Sequence, residues 1–79
     1  MDWKERITSN PGICGGVPII RGTRIPVSVV LDNLAELNTH EEILESYPTL
    51  KREDLGAAMH YAAELARDPI IVLAHETVG

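Results

Sequence analysis

The chain has 79 residues, a formal net charge of −5 and a single cysteine. A chain of this length folds as one domain, residues 1–79, that buries only about 60% of its unfolded surface, so self-association is expected to add stability and a homodimer is the default. The acidic balance argues against non-specific coating of nucleic acid, the lone Cys14 excludes an intrachain disulfide, and no apolar run approaches the roughly 18 residues of a membrane span.

The net charge hides an asymmetry. Residues 1–31 carry Lys4, Arg6, Arg21 and Arg24 against Asp2 and Glu5, a balance of +2, whereas residues 32–79 carry Lys51, Arg52 and Arg67 against ten carboxylates, a balance of −7. One end suits phosphate and the other a basic protein, although a solvated acidic helix surface gives the same count. Met1 to Arg6 is too polar for a signal peptide, so a cytoplasmic protein without membrane association is expected.

Taken in order, residues 3–27 read as an N-terminal strand and a β-hairpin. Trp3 to Thr8 has modest strand character, Arg6 to Thr8 is placed to pair with the hairpin, and Ser9-Asn10-Pro11-Gly12 is a dense turn signal. The Gly12-Ile13-Cys14-Gly15-Gly16 run lacks the GK[ST] and the following helix of a phosphate loop, so it reads as a glycine-rich turn packing a small buried Cys14. Ile19 and Ile20 on one side and Ile25 and Val27 on the other then flank Arg21-Gly22-Thr23-Arg24, where Gly22 supplies the positive φ of a tight turn. Pro26 suits the first position of a helix and keeps Ile25 extended. Arg21, Thr23 and Arg24 at this polar tip are the first candidates for contact with an anionic partner.

Residues 26–67 read as a three-helix unit. Val27, Val30, Leu31 and Leu34 recur at helical spacing, predicting a first helix from Pro26 to about Leu37. Thr39-His40-Glu41-Glu42 fits a capping box opening a second helix, whose inner side is Ile43, Leu44 and Tyr47 and which Pro48 ends. A third helix carries Leu55, Ala58, Met59, Ala62 and Ala66 inward and stops at Arg67-Asp68-Pro69. Two short helices joined by a tight turn after a longer one form a helix-turn-helix pattern, with Lys51, Arg52, Gly56 and His60 pointing outward from the leading end of the third. Glu53 and Asp54 beside them suit the helix dipole and repel phosphate. In the tail, residues 68–79, the apolar run Ile70, Ile71, Val72, Leu73 and Ala74 is expected to dock as a strand, either on the chain's own dimer or on a partner protein.

Catalytic groups do not assemble in the sequence. His40-Glu41 and His75-Glu76 each begin a zinc-protease motif that Leu44 and Gly79 leave unfinished, and His60 and Glu64 at i, i+4 read as a surface pair. No metal, cofactor or enzymatic activity is expected.

The stretch Ile7-Thr8-Ser9-Asn10-Pro11-Gly12-Ile13-Cys14-Gly15-Gly16-Val17-Pro18-Ile19-Ile20-Arg21-Gly22-Thr23-Arg24-Ile25-Pro26-Val27 closely resembles the signature of the bacterial and archaeal family called domain of unknown function 433. Glu41-Glu42-Ile43-Leu44, Tyr47-Pro48, Leu50 and Arg52-Glu53-Asp54 are similar to it as well, so the resemblance runs from about Ile7 to Arg67. It implies a mainly α, tri-helical homeodomain-like fold, related to winged helices, with a small N-terminal β element. It also implies an antitoxin of a type II toxin–antitoxin pair, which binds a PIN-like ribonuclease toxin from an adjacent gene and its own operator DNA. Lys51 departs from the family, standing where members commonly have a threonine that caps the third helix together with Asp54. The expectation is therefore a dimeric repressor acting through Arg21, Arg24, Lys51 and Arg52, and the alternative is a protein-interaction module that binds no DNA.

Overall fold

The structure is a computed structural model that describes residues 2–67. The tail proposed as a docking strand, with Ile70, Ile71, Val72 and Leu73, lies outside the described residues. Three helices, α1 (Val27–Ala35), α2 (His40–Ser46) and α3 (Arg52–Arg67), follow a two-stranded antiparallel sheet of β1 (Ile7–Thr8) and β2 (Ile19–Ile20), giving the mainly helical fold expected.

The N-terminal segment is less extended than its composition suggests. Trp3–Arg6 is a short 3-10 helix whose Asp2 carboxylate accepts from the Lys4 N–H at 3.1 Å, and only Ile7 and Thr8 enter the sheet, opposite Ile20 and Ile19. The aspartate offers the first turn a local acceptor that an extended chain would not use. The Arg21 N–H donates to the Arg6 carbonyl at 2.8 Å and closes the ladder.

The tight turn after β2 forms, but its second arm does not become a strand. Gly22 has φ +81°, the Thr23 N–H donates to the Ile20 carbonyl at 3.0 Å, and the Ile20 N–H donates to the Ile25 carbonyl at 3.0 Å. Beyond that the arm is a single bridge between Ile19 and Pro26, because Pro26 has no N–H to extend a ladder. Pro26 itself, at φ −62° and ψ 145°, caps α1 from outside rather than occupying its first turn. Its ring fixes φ, but ψ stays extended so that the Val27 N–H can reach the Pro18 carbonyl at 3.0 Å.

α1 stops earlier than its apolar periodicity implies. Leu37 adopts φ +64°, with its N–H on the Leu34 carbonyl at 3.0 Å and the Asn38 N–H on the Asn33 carbonyl at 3.2 Å, the paired bonds of a Schellman end. The Asn38 Nδ2 also donates to Asn33 Oδ1 at 2.9 Å. α2 opens as expected: Thr39 Oγ1 accepts from the Glu42 N–H at 3.1 Å while Glu42 Oε1 accepts from the Thr39 N–H at 3.0 Å.

One core joins these parts. Ile20, Val27, Val30, Ile43, Leu50, Leu55 and Ala58 form a single buried cluster, with Ile7, Ile25 and Tyr61 packed on its margin. Deleting any of the large members costs roughly 2–5 kcal/mol in cores of this type. α3 presents Asp54, Leu55, Ala57 and Ala58 inward. Met59, placed in the core by periodicity, is 43% exposed, and Ala66 is exposed too. The displaced face follows from Asp54, which is 5% exposed and is drawn inward by Arg6. Trp3 meets Tyr61 edge to face, 6.2 Å between centroids, fastening the 3-10 helix to α3. Among the described residues no helix is long and apolar enough to cross a membrane.

Candidate nucleic-acid interface

The sheet and the start of α3 place two clefts side by side around the Arg21–Arg24 turn. The first, about 400 Å³, is lined by Asp2, Glu5, Arg6, Arg21 and Asp54. Arg21 leans into it and donates from Nε to the Glu5 carbonyl at 2.6 Å. Arg6 donates from Nη1 to Asp54 Oδ1 at 3.0 Å and lies 3.9 Å from Glu53 Oε2. Three carboxylates against two guanidiniums leave this cleft without a surplus of positive charge.

The second cleft, about 560 Å³, is different in kind. Thr8, Ser9, Asn10, Ile13, Ile19, Gly22, Thr23, Arg24 and Thr49 line it, and among the described residues none that lines it carries a carboxylate. Arg24 is exposed and forms no ion pair among the described residues. Its backbone is held from behind, since its carbonyl accepts from Cys14 Sγ at 3.4 Å. Cys14 is exposed, not buried as expected: Cys14, Gly15 and Gly16 all take positive φ (52°, 70° and 85°), a left-handed run that forms a surface turn. Thr23, by contrast, spends its hydroxyl inside the turn, donating to the Ile20 carbonyl at 2.7 Å and accepting from the Ile25 N–H at 3.0 Å.

The cations expected on α3 separate. Lys51 has an exposed side chain, and its N–H donates to Asp54 Oδ2 at 2.9 Å. Asp54 thus supplies half of a capping box whose hydroxyl half the lysine cannot provide. Asp54 is therefore a buried brace and not the surface charge expected to repel phosphate, and of the two acids only Glu53 is exposed. Arg52 turns toward α2 and donates from Nη2 to Glu41 Oε1 at 2.6 Å. That bond holds the Glu41 carboxyl below its ordinary value of 4.5, with the helix backbone and the arginine's charge acting the same way. His60 lies exposed beside a shallow groove of Gly56, Met59 and Ala63, roughly 12 Å along the axis from Arg52.

Thus Arg24 shares a cleft with Thr49, two residues before Lys51, while Arg52 and His60 stand apart from it. Ser9, Asn10 and Thr49 join Arg24 in its cleft, and Arg6 joins Arg21 in the other, although none of the four stands out as a site residue in the sequence. The turn composition of residues 9–12 marked a loop, but only the sheet register brings it against the Arg24 turn. Away from this end, Val17 and Leu65 are half-exposed and line an apolar groove with Pro18, Val27, Leu31 and Tyr61.

Comparison with known proteins places the chain. A solved DUF433 member protein from Anabaena variabilis superposes with a TM-score of 0.71 at 40% identity, over 78% of this chain and 61% of that one. An uncharacterized protein of Sinorhizobium fredii, y4eO, is 42% identical over 59 residues, which is 75% of this chain. The chain spans 27% of that relative's length. Residues 7–62 match the family described as protein of unknown function (DUF433), and the chain belongs to that family.

Proposed function

We propose that this protein is the antitoxin-like, non-catalytic member of a type II toxin–antitoxin pair, binding its operator DNA as a dimer and a PIN-like ribonuclease through its acidic helical side. The observation that carries this reading is the exposed Arg24, which has no ion pair among the described residues and shares a cleft lined by none of their carboxylates, in a chain whose net charge is −5. A cation left without an internal partner in so acidic a protein is available to an external anion. The arrangement of α2 and α3 across a short connection is compatible with a helix-turn-helix reader, and the resemblance of residues 7–27 to antitoxin-like proteins supports the same assignment. Gel-shift titration of the upstream promoter at two salt concentrations tests the operator half, and equal affinity for promoter and random duplex rejects it. Co-expression with the adjacent gene and recovery of a stoichiometric complex tests the toxin half.

A second reading, a protein-interaction module that binds no DNA, draws on the apolar groove flanked by Val17 and Leu65. A second copy of the chain seated there would bury surface that so small a core leaves exposed. Light scattering combined with the promoter titration separates the two: a dimer without promoter binding favours the module.

A further inference from the structure

The two arginines of the turn were expected to act alike. The clefts they enter make them unlike. From this we infer that the Arg24 cleft is a preformed seat for one phosphodiester of the nucleic-acid backbone, and that Arg21 is a structural residue making no phosphate contact. The inference rests on the operator reading and names the atoms that would carry its electrostatic part.

Four observations place the phosphate on the Arg24 side. Among the described residues no carboxylate lines that cleft, whereas Asp2, Glu5 and Asp54 line the other. Neither arginine has an ion pair among the described residues, but Arg21 Nε is committed to the Glu5 carbonyl at 2.6 Å, whereas the Arg24 guanidinium has no hydrogen-bond partner among them. The Arg24 cleft also supplies neutral donors in the Ser9 and Thr49 hydroxyls, with the Asn10 side chain held in place by the Gly12 N–H on its Oδ1 at 2.8 Å. That bond uses the amide oxygen, and the Asn10 Nδ2 hydrogens have no partner among the described residues. Finally, the Arg24 carbonyl accepts from Cys14 Sγ at 3.4 Å, which joins the turn to the glycine-rich run. A guanidinium flanked by hydroxyl and amide donors is what phosphate oxygens take, and such contacts set register on a duplex without reading sequence.

An open cleft with one exposed cation suits a phosphate that continues on both sides rather than a small free anion, which enclosed pockets hold by burying most of its surface. The glycine-rich run that resembles a phosphate loop without completing one therefore acts indirectly, by holding the residue that meets the phosphate.

The test is fluorescence anisotropy of the full chain with a labelled upstream duplex and a scrambled duplex, between about 50 and 200 mM salt. Arg24→Ala is expected to lower the slope of log K against log salt by about one unit on both duplexes, and Arg24→Lys to restore most of it. Thr49→Val weakens binding about fivefold. Arg21→Ala leaves the slope at its wild-type value. Wild-type binding with an unchanged slope in Arg24→Ala overturns the phosphate seat and leaves the operator reading standing, and equal flattening by Arg21→Ala overturns the division of labour. Failure of the wild-type chain to bind either duplex overturns both. Far-ultraviolet circular dichroism confirms that each variant keeps its helices.

Discussion

Arg6 Nη1 lies 3.0 Å from Oδ1 of the buried Asp54, joining residues 48 apart in sequence. The other oxygen of the same carboxylate accepts from the Lys51 N–H at 2.9 Å, so one side chain both starts α3 and anchors the segment leading into β1. Glu53, 3.9 Å from Arg6 Nη2, adds charge from outside. A partly buried ion pair gains little over an apolar pair of equal size, but losing one partner leaves the other desolvated and unsatisfied.

Removing either partner is therefore expected to destabilise the fold. Arg6→Ala costs about 2 kcal/mol and Asp54→Ala about 3 kcal/mol, the latter because the Lys51 N–H also loses its acceptor. Urea denaturation of the two single variants and the double variant measures the coupling, expected at about 1 kcal/mol. Strict additivity would mean that the pair contributes nothing as a pair.

Leu37 sits at φ +64° with 88% of its surface exposed, in a position that helices usually give to glycine. Leu37→Gly removes the left-handed strain of a branched side chain and gives up no buried contact. A gain of about 0.5–1 kcal/mol is expected. An unchanged or lowered thermal midpoint would show that the added freedom of glycine in the unfolded chain offsets the relief of strain.

These two sites show what was legible in the sequence and what was not. The Thr39–Glu42 capping box spans four residues and involves only its own helix, so residue type and spacing were sufficient to locate it. The end of α1 was misplaced because Leu37 continues the apolar rhythm, and rhythm cannot show a reversal of φ when leucine stands in for glycine. The inner face of α3 was centred on Met59 because Asp54 counted as a surface charge, and its buried partner is supplied by a segment 48 residues away. The same limit applies to the candidate site. Arg24 was visible at a turn, but the absence of carboxylates around it among the described residues, and their presence around Arg21, depends on how β1 pairs with β2.

The capping box predicts a pH dependence. The Thr39 N–H, and then its hydroxyl, hold the Glu42 carboxyl below the ordinary 4.5, and Arg52 does the same for Glu41. A carboxyl with a lowered folded value contributes stability above its unfolded value and loses it as pH falls through the folded one. Stability should therefore decline as pH drops below about 4.5. Thr39→Ala removes the hydroxyl but keeps the backbone N–H, so the Glu42 titration, followed by carboxyl carbon shifts, should move only part of the way toward its ordinary midpoint while Glu41 stays low. Parallel movement of both would show that the two glutamates respond to the whole helix and not to separate partners.

Gly22 links the fold to the candidate interface, because its φ of +81° brings the chain around between Arg21 and Arg24. A Cβ built there meets no atom within 4 Å, so the cost of Gly22→Ala is conformational and not steric crowding by neighbours. That cost is about 1 kcal/mol, which for a domain of this size lowers the melting temperature by roughly 4–8 °C. Gly22→Asn should lose less, since asparagine tolerates the left-handed region. If Arg24 meets phosphate from this turn, Gly22→Ala also weakens duplex binding, by distorting the backbone that presents the guanidinium, and Gly22→Asn weakens it less. A variant series in which melting temperature follows that order while duplex affinity does not would separate the turn's structural part from any part in binding.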